Sequence, residues 1–62
     1  MEDYKIKIKD NTQDCVHTLT EHATSPNQAN QQALKYLRKH IGKNDYEIKD
    51  CSLVYRPYTY AN

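Results

Sequence analysis

The residues of this 62-residue chain best equipped for chemistry are basic and tyrosyl, and their chemistry is recognition. From His22 to Asn44 there is no carboxylate, whereas Lys35, Arg38, Lys39 and Lys43 crowd into that interval. The whole chain carries a formal net charge of only +1, so its positive charge is segregated rather than abundant. Tyr4, Tyr36, Tyr46, Tyr55, Tyr58 and Tyr60 supply all of its aromatic side chains. Tyr gives large contact area with a polar handle, and Arg is enriched at interface centres. Lys35, Tyr36, Arg38, Lys39 and Lys43 therefore form one candidate contact for a protein partner. Lys5, Lys7 and Lys9, or Tyr55, Arg56, Tyr58 and Tyr60, form a second. The plainer account of the first group is a solvated helix end whose cations complement the helix dipole by about 0.3–1 kcal/mol each.

Catalytic chemistry finds little to work with. There is one glycine, hence no phosphate-cradling loop, and no paired carboxylates or nucleophile–base motif. His17 and His22 are five apart on a β-branched stretch, which sends them to opposite sheet faces. His40 belongs to the basic helix end. Cys15 and Cys51 stand far apart without a second thiol pair or a histidine at zinc-ligand spacing, so they are expected to be reduced, half-buried apolar residues. No catalytic residue, metal or cofactor is expected, and the chain reads as non-enzymatic.

The elements that must position these groups follow from periodicity. Tyr4-Lys5-Ile6-Lys7-Ile8-Lys9 alternates apolar and basic residues, a strand with Tyr4, Ile6 and Ile8 on one face and the lysines on the other. The polar turn Asp10–Asp14 leads into the β-branched stretch Val16–Thr20, so the two strands pair antiparallel. Two phases are open for the second strand: Cys15, His17 and Leu19 inward, or Val16, Thr18 and Thr20. The size of Leu19 favours the first. Ser25-Pro26-Asn27-Gln28 starts a helix: Ser25 accepts from the Gln28 amide, Gln28 reaches back, and Pro26 suits the first helical position. Ala29, Ala33, Leu37 and Ile41 form its apolar stripe with Leu34 and Tyr36 alongside, and Gly42 supplies a left-handed cap. Tyr46–Asp50 alternates in one phase and Cys51, Leu53 and Tyr55 continue in the other, which favours a bulge near Asp50; without a bulge Val54 takes the inner place. Pro57 ends or edges that strand and leaves 57–62 as a tail or short extra strand.

A chain this short makes a single small domain, because it buries only about 60% of the surface its unfolded form exposes. Short connections arrange it as an α+β fold, a three-stranded antiparallel sheet in the order 2-1-3 with one helix packed on one face. The other face, bearing Lys5, Lys7 and Lys9 with tyrosines at its margins, is solvated or takes a partner. Scarce large apolar residues and two edge strands leave homodimer formation open. The longest apolar run is too short to span a membrane, and the first residues lack the order of a signal peptide, so a soluble, cytoplasmic protein is expected. The alternative to protein binding is nucleic-acid binding, with the basic helix on phosphates and sheet tyrosines stacking bases. The near-neutral balance, with acids at Asp3, Asp10, Asp14, Asp45, Glu47 and Asp50, counts against it.

The run from Leu19 to Leu34, a strand ending in Ala23, a Ser25 cap and then an Ala-rich helix, resembles the middle of small strand-strand-helix-strand proteins of phages and other mobile elements. Some anti-CRISPR proteins are similar in size and element order. The resemblance covers the hairpin-to-helix half and transfers no individual functional residue. It implies a non-enzymatic inhibitor, acting in the cytoplasm of a bacterial host. Such an inhibitor sets Lys and Arg side chains against a surface of a nucleic-acid-handling host complex.

Overall fold

The computed structural model describes residues 1–54. The expectations placed on Tyr55, Arg56, Tyr58, Tyr60 and the 57–62 tail lie outside the described residues. The elements run β1 (Glu2–Asp10), β2 (Cys15–Ala23), α1 (Pro26–His40) and β3 (Tyr46–Leu53). They form a three-stranded antiparallel sheet ordered β2-β1-β3 with the helix on one face, an α+β fold.

The alternation in β1 sets the layers. Tyr4, Ile6 and Ile8 point under the helix and are buried, with Ile6 and Ile8 wholly out of solvent, while Lys5 and Lys7 point away. Each buried isoleucine contributes about 1.5–3 kcal/mol. In β2 the Leu19 phase holds: Cys15, His17 and Leu19 are half-buried on the covered face, whereas Val16 is 57% exposed. The bulge in β3 is also present. Lys7 pairs with Asp50 and the next residue, Ile8, pairs with Ile48, leaving Lys49 as the extra residue. Ile48 and Cys51 consequently both reach the core.

The helix starts where its signals place it. Ser25 Oγ accepts from the Gln28 amide at 3.2 Å, and Pro26 occupies the first turn. Gln28 does reach back, but its Oε1 accepts from the amide and hydroxyl of Thr24, at 2.7 and 2.8 Å, rather than from Ser25. Ala29, Ala33 and Leu37 bury its stripe, the alanines allowing a close approach to the sheet. Two members of the expected stripe do not belong to it. Ile41 is the cap residue just after His40 and is 45% exposed, although its amide still donates to the Leu37 carbonyl. Tyr36 is 50% exposed on the outer flank and stacks on His40, with ring centroids 4.3 Å apart. Gly42 takes φ +144°, a positive value more extended than a left-handed helical cap, and its amide also donates to the Leu37 carbonyl at 3.0 Å.

Candidate binding surface and a polar hub

The helix end gathers the first expected contact. Lys35, Tyr36, Arg38, Lys39 and His40 occupy the last turns and Lys43 the following loop, all exposed. Among the described residues no ion pair engages Lys35, Arg38, Lys39 or Lys43. Their charge is therefore presented to solvent, at a helix end whose unsatisfied carbonyls favour cations.

The lysine row of β1 is different. The register sets Asp50 directly across from Lys7 and Glu47 across from Lys9, on the same uncovered face. Lys9 also pairs with Asp14 at 2.5 Å, and Lys49 with Glu47 at 2.8 Å. The hydrogen bond from Lys49, and then its charge, hold Glu47 below the usual carboxylate range; the bond from Lys9 does the same for Asp14. Lys5 faces Thr20 and Ser52. The uncovered face is thus a mixed-charge surface, with His22 held to Asp3 at 2.6 Å at its far end. The described tyrosines are not at its margins. Tyr4 is buried beneath the helix, Tyr46 is half-buried on the covered side, and Tyr36 is on the helix. Among the described residues the uncovered face offers no tyrosine on which a base could stack, and its ring is the His22 imidazole tied to Asp3.

A third cluster was not visible in the spacing. Asp10, the last residue of β1, is fully buried. Its Oδ1 accepts from the amides of Thr12 and Gln13, both at 3.0 Å, which folds the turn around the carboxylate. Asp14 closes the turn at φ +54°, a conformation Asp tolerates. The other oxygen, Oδ2, accepts from Asn44 Nδ2 at 2.9 Å and meets His17 Nε2 at 3.3 Å. Burial pushes the Asp10 carboxyl up, yet the donors from Asn44, Gln13, His17 and Thr12 together outweigh it and hold the group below its ordinary value. Cys15 Sγ lies 3.6 Å from the same His17 nitrogen and 3.8 Å from Gln13 Oε1. Further contacts tie the turn to the loop after the helix: the Asn11 amide donates to the Asp45 carbonyl and the Asp45 amide to Thr12 Oγ1.

The hub is assembled by register. Asp10 pairs with Cys15 across the β1–β2 ladder and with Tyr46 on the other side, and His17 follows two residues on along the same face. The one local signal is the Cys15-x-His17 spacing, which puts both side chains on one strand face. A cysteine–histidine–aspartate relay would need thiol and carboxylate on opposite ring nitrogens. Here both approach Nε2. Cys51 lies apart from the hub, and burial followed by the charge of Asp50 pushes its thiol up, away from the reactive thiolate. His17 and His22 are on opposite faces, as their spacing predicts. No helix among the described residues is long and apolar enough to cross a membrane. Comparison with protein-family models, with curated proteins and with solved structures finds no match for this chain.

Proposed function

We propose that this chain is a non-enzymatic protein-binding module that docks its basic helix end on an acidic surface of a partner protein. The observation that carries the reading is the contrast in charge pairing. Lys35, Arg38, Lys39 and Lys43 have no ionic partner among the described residues, while Lys7 and Lys9 face acids across the ladder. Unpaired clustered charge steers association and is cheap to desolvate only against an opposite charge. Tyr36, exposed and stacked on His40, supplies a flat amphipathic contact in the middle of that cluster. Size and element order suit the inhibitor role that the sequence resemblance implies, with a cytoplasmic host complex that handles nucleic acid as the partner. The basic groups would there hold an acidic surface of that complex, competing with or distorting its nucleic-acid site. Direct nucleic-acid binding is the lesser reading, since no described tyrosine lies on the uncovered face.

The test is capture from a lysate of the source cell or its host, with and without nuclease, comparing the wild-type chain with Arg38→Glu/Lys39→Glu. Nuclease-resistant capture of a defined protein, lost in the variant and weakened by salt, is the expected result. Capture abolished by nuclease would move nucleic acid to first place. Capture unchanged in a folded variant would remove the helix end from the interface.

A further inference from the structure

We infer that Asp10 Oδ2, Cys15 Sγ and His17 Nε2 form a binding site for one zinc-class divalent ion, with a fourth coordination position left to solvent. The inference stands on the hub's geometry and is independent of the protein-binding reading.

The three ligand atoms all lie within 4.8 Å of one another. Tetrahedral zinc holds nitrogen and oxygen at about 2.0–2.2 Å and thiolate sulfur at about 2.3 Å, so its ligand edges come to about 3.3–3.4 Å for N···O and about 3.6 Å for N···S. The observed separations are 3.3 Å from His17 Nε2 to Asp10 Oδ2 and 3.6 Å from His17 Nε2 to Cys15 Sγ. Convergence of thiol and carboxylate on a single imidazole nitrogen, which disqualifies a catalytic relay, is what a shared ion produces. One sulfur, one imidazole and one carboxylate suit borderline-soft zinc better than magnesium or calcium, which prefer oxygen.

The surroundings are those of a held ligand set. Two backbone amides on Oδ1 fix the rotation of the Asp10 carboxylate, and Asn44 Nδ2 donates to the very oxygen that would ligate. Such outer contacts orient first ligands and tune affinity. His17 keeps 21% of its side chain exposed beside the exposed Gln13, which gives an ion a way in and water a place at the fourth position. On binding, the Cys15 thiol proton passes to solvent, the His17 ring proton shifts through solvent from Nε2 to Nδ1, and the Asp10–His17 hydrogen bond gives way to two metal–ligand bonds. The ion would join β1, β2 and, through Asn44, the loop into β3.

The experiment is a Co²⁺ titration of the purified, reduced full chain near neutral pH, followed by displacement with Zn²⁺ and by elemental analysis. One ion per chain is expected, with a thiolate-to-cobalt charge-transfer band, tetrahedral d–d absorption, and loss of both on adding Zn²⁺. Cys15→Ser should abolish the charge-transfer band, Cys51→Ser should leave it unchanged, and Asn44→Ala should weaken binding about 10–100-fold. His17→Gln provides a second ligand deletion should Cys15→Ser fail to fold by circular dichroism. No charge-transfer band in the folded wild-type chain would overturn the site. So would a band that survives Cys15→Ser, or half an ion per chain bridging two copies.

Discussion

The covered face of the sheet is closed in two different ways along its length. In the middle, Ile6 and Ile8 meet Ala33 and Leu37 by excluding water. At the end where β1 turns into β2, Asp10 is equally buried but is held by four donors from Thr12, Gln13, Asn44 and His17. Apolar contact is non-directional and accepts substitutions of similar volume. A buried carboxylate is directional, and withdrawing it strands every donor aimed at it. The middle therefore supplies most of the stability, and the end supplies uniqueness: it dictates which turn, which loop and which rotamers meet.

Breaking the middle should have the largest effect. Ile8→Ala is expected to cost about 2–5 kcal/mol, enough to unfold most of a domain this small, whereas Ile8→Val should cost about 0.5–1.5 kcal/mol. Urea denaturation followed by circular dichroism measures both. Asp10→Ala, which leaves two amides and the Asn44 side chain without their acceptor, should lower Tm by about 5–10 °C. A larger cost for Asp10→Ala than for Ile8→Ala would invert that division of labour. Acid gives a finer comparison. Asp10 has a folded pKa below its unfolded one, so the unfolded state binds more protons at low pH. The corresponding stability is complete above the ordinary carboxylate range and drains away as pH falls below about 4 toward the folded value. Asp14 and Glu47 share that sign but are exposed pairs and contribute little. A melting series across that range should be flatter for Asp10→Asn than for wild type, and hardly altered by Glu47→Gln. The smallest effect is a gain. Asn30 carries a buried side-chain oxygen with no hydrogen-bond partner among the described residues, a polar group on the apolar part of the helix. Asn30→Ala should stabilise the chain by about 0.5–1 kcal/mol in the same urea assay.

What could be read before the structure was whatever depends on near neighbours in the chain. The alternation of Tyr4 to Lys9 fixes two faces, the change of phase around Asp50 favours a bulge, and Ser25-Pro26 starts a helix by local hydrogen bonding. Strand order and the inward turn of Leu19 follow from those elements and the bulk of one side chain. What could not be read depends on register. That Lys7 stands opposite Asp50 is decided by where β3 slides along β1, and this turns an expected basic face into a balanced one. The hub needs the same information twice, since Asp10 meets Cys15 through one ladder and Asn44 through a loop beyond the helix. Four-residue spacing continues through Ile41, but periodicity does not report that the helix ends at His40. The basic cluster at the helix end was legible because all its members lie on one short segment.

The Tyr46 hydroxyl lies 3.3 Å from the Leu37 carbonyl and donates to the Gly42 carbonyl at 2.6 Å. These oxygens belong to the end of α1 and the loop beyond it, while the phenol comes from the opening residue of β3. The termination of the helix is thus borrowed from a different element, the strand that follows it. A 15-residue helix is marginal alone in water. As an isolated peptide, it should fray from the His40 end backward and scatter Lys35, Arg38 and Lys39 over many orientations. Docking of the third strand would then be the event that collects those charges into one rigid array.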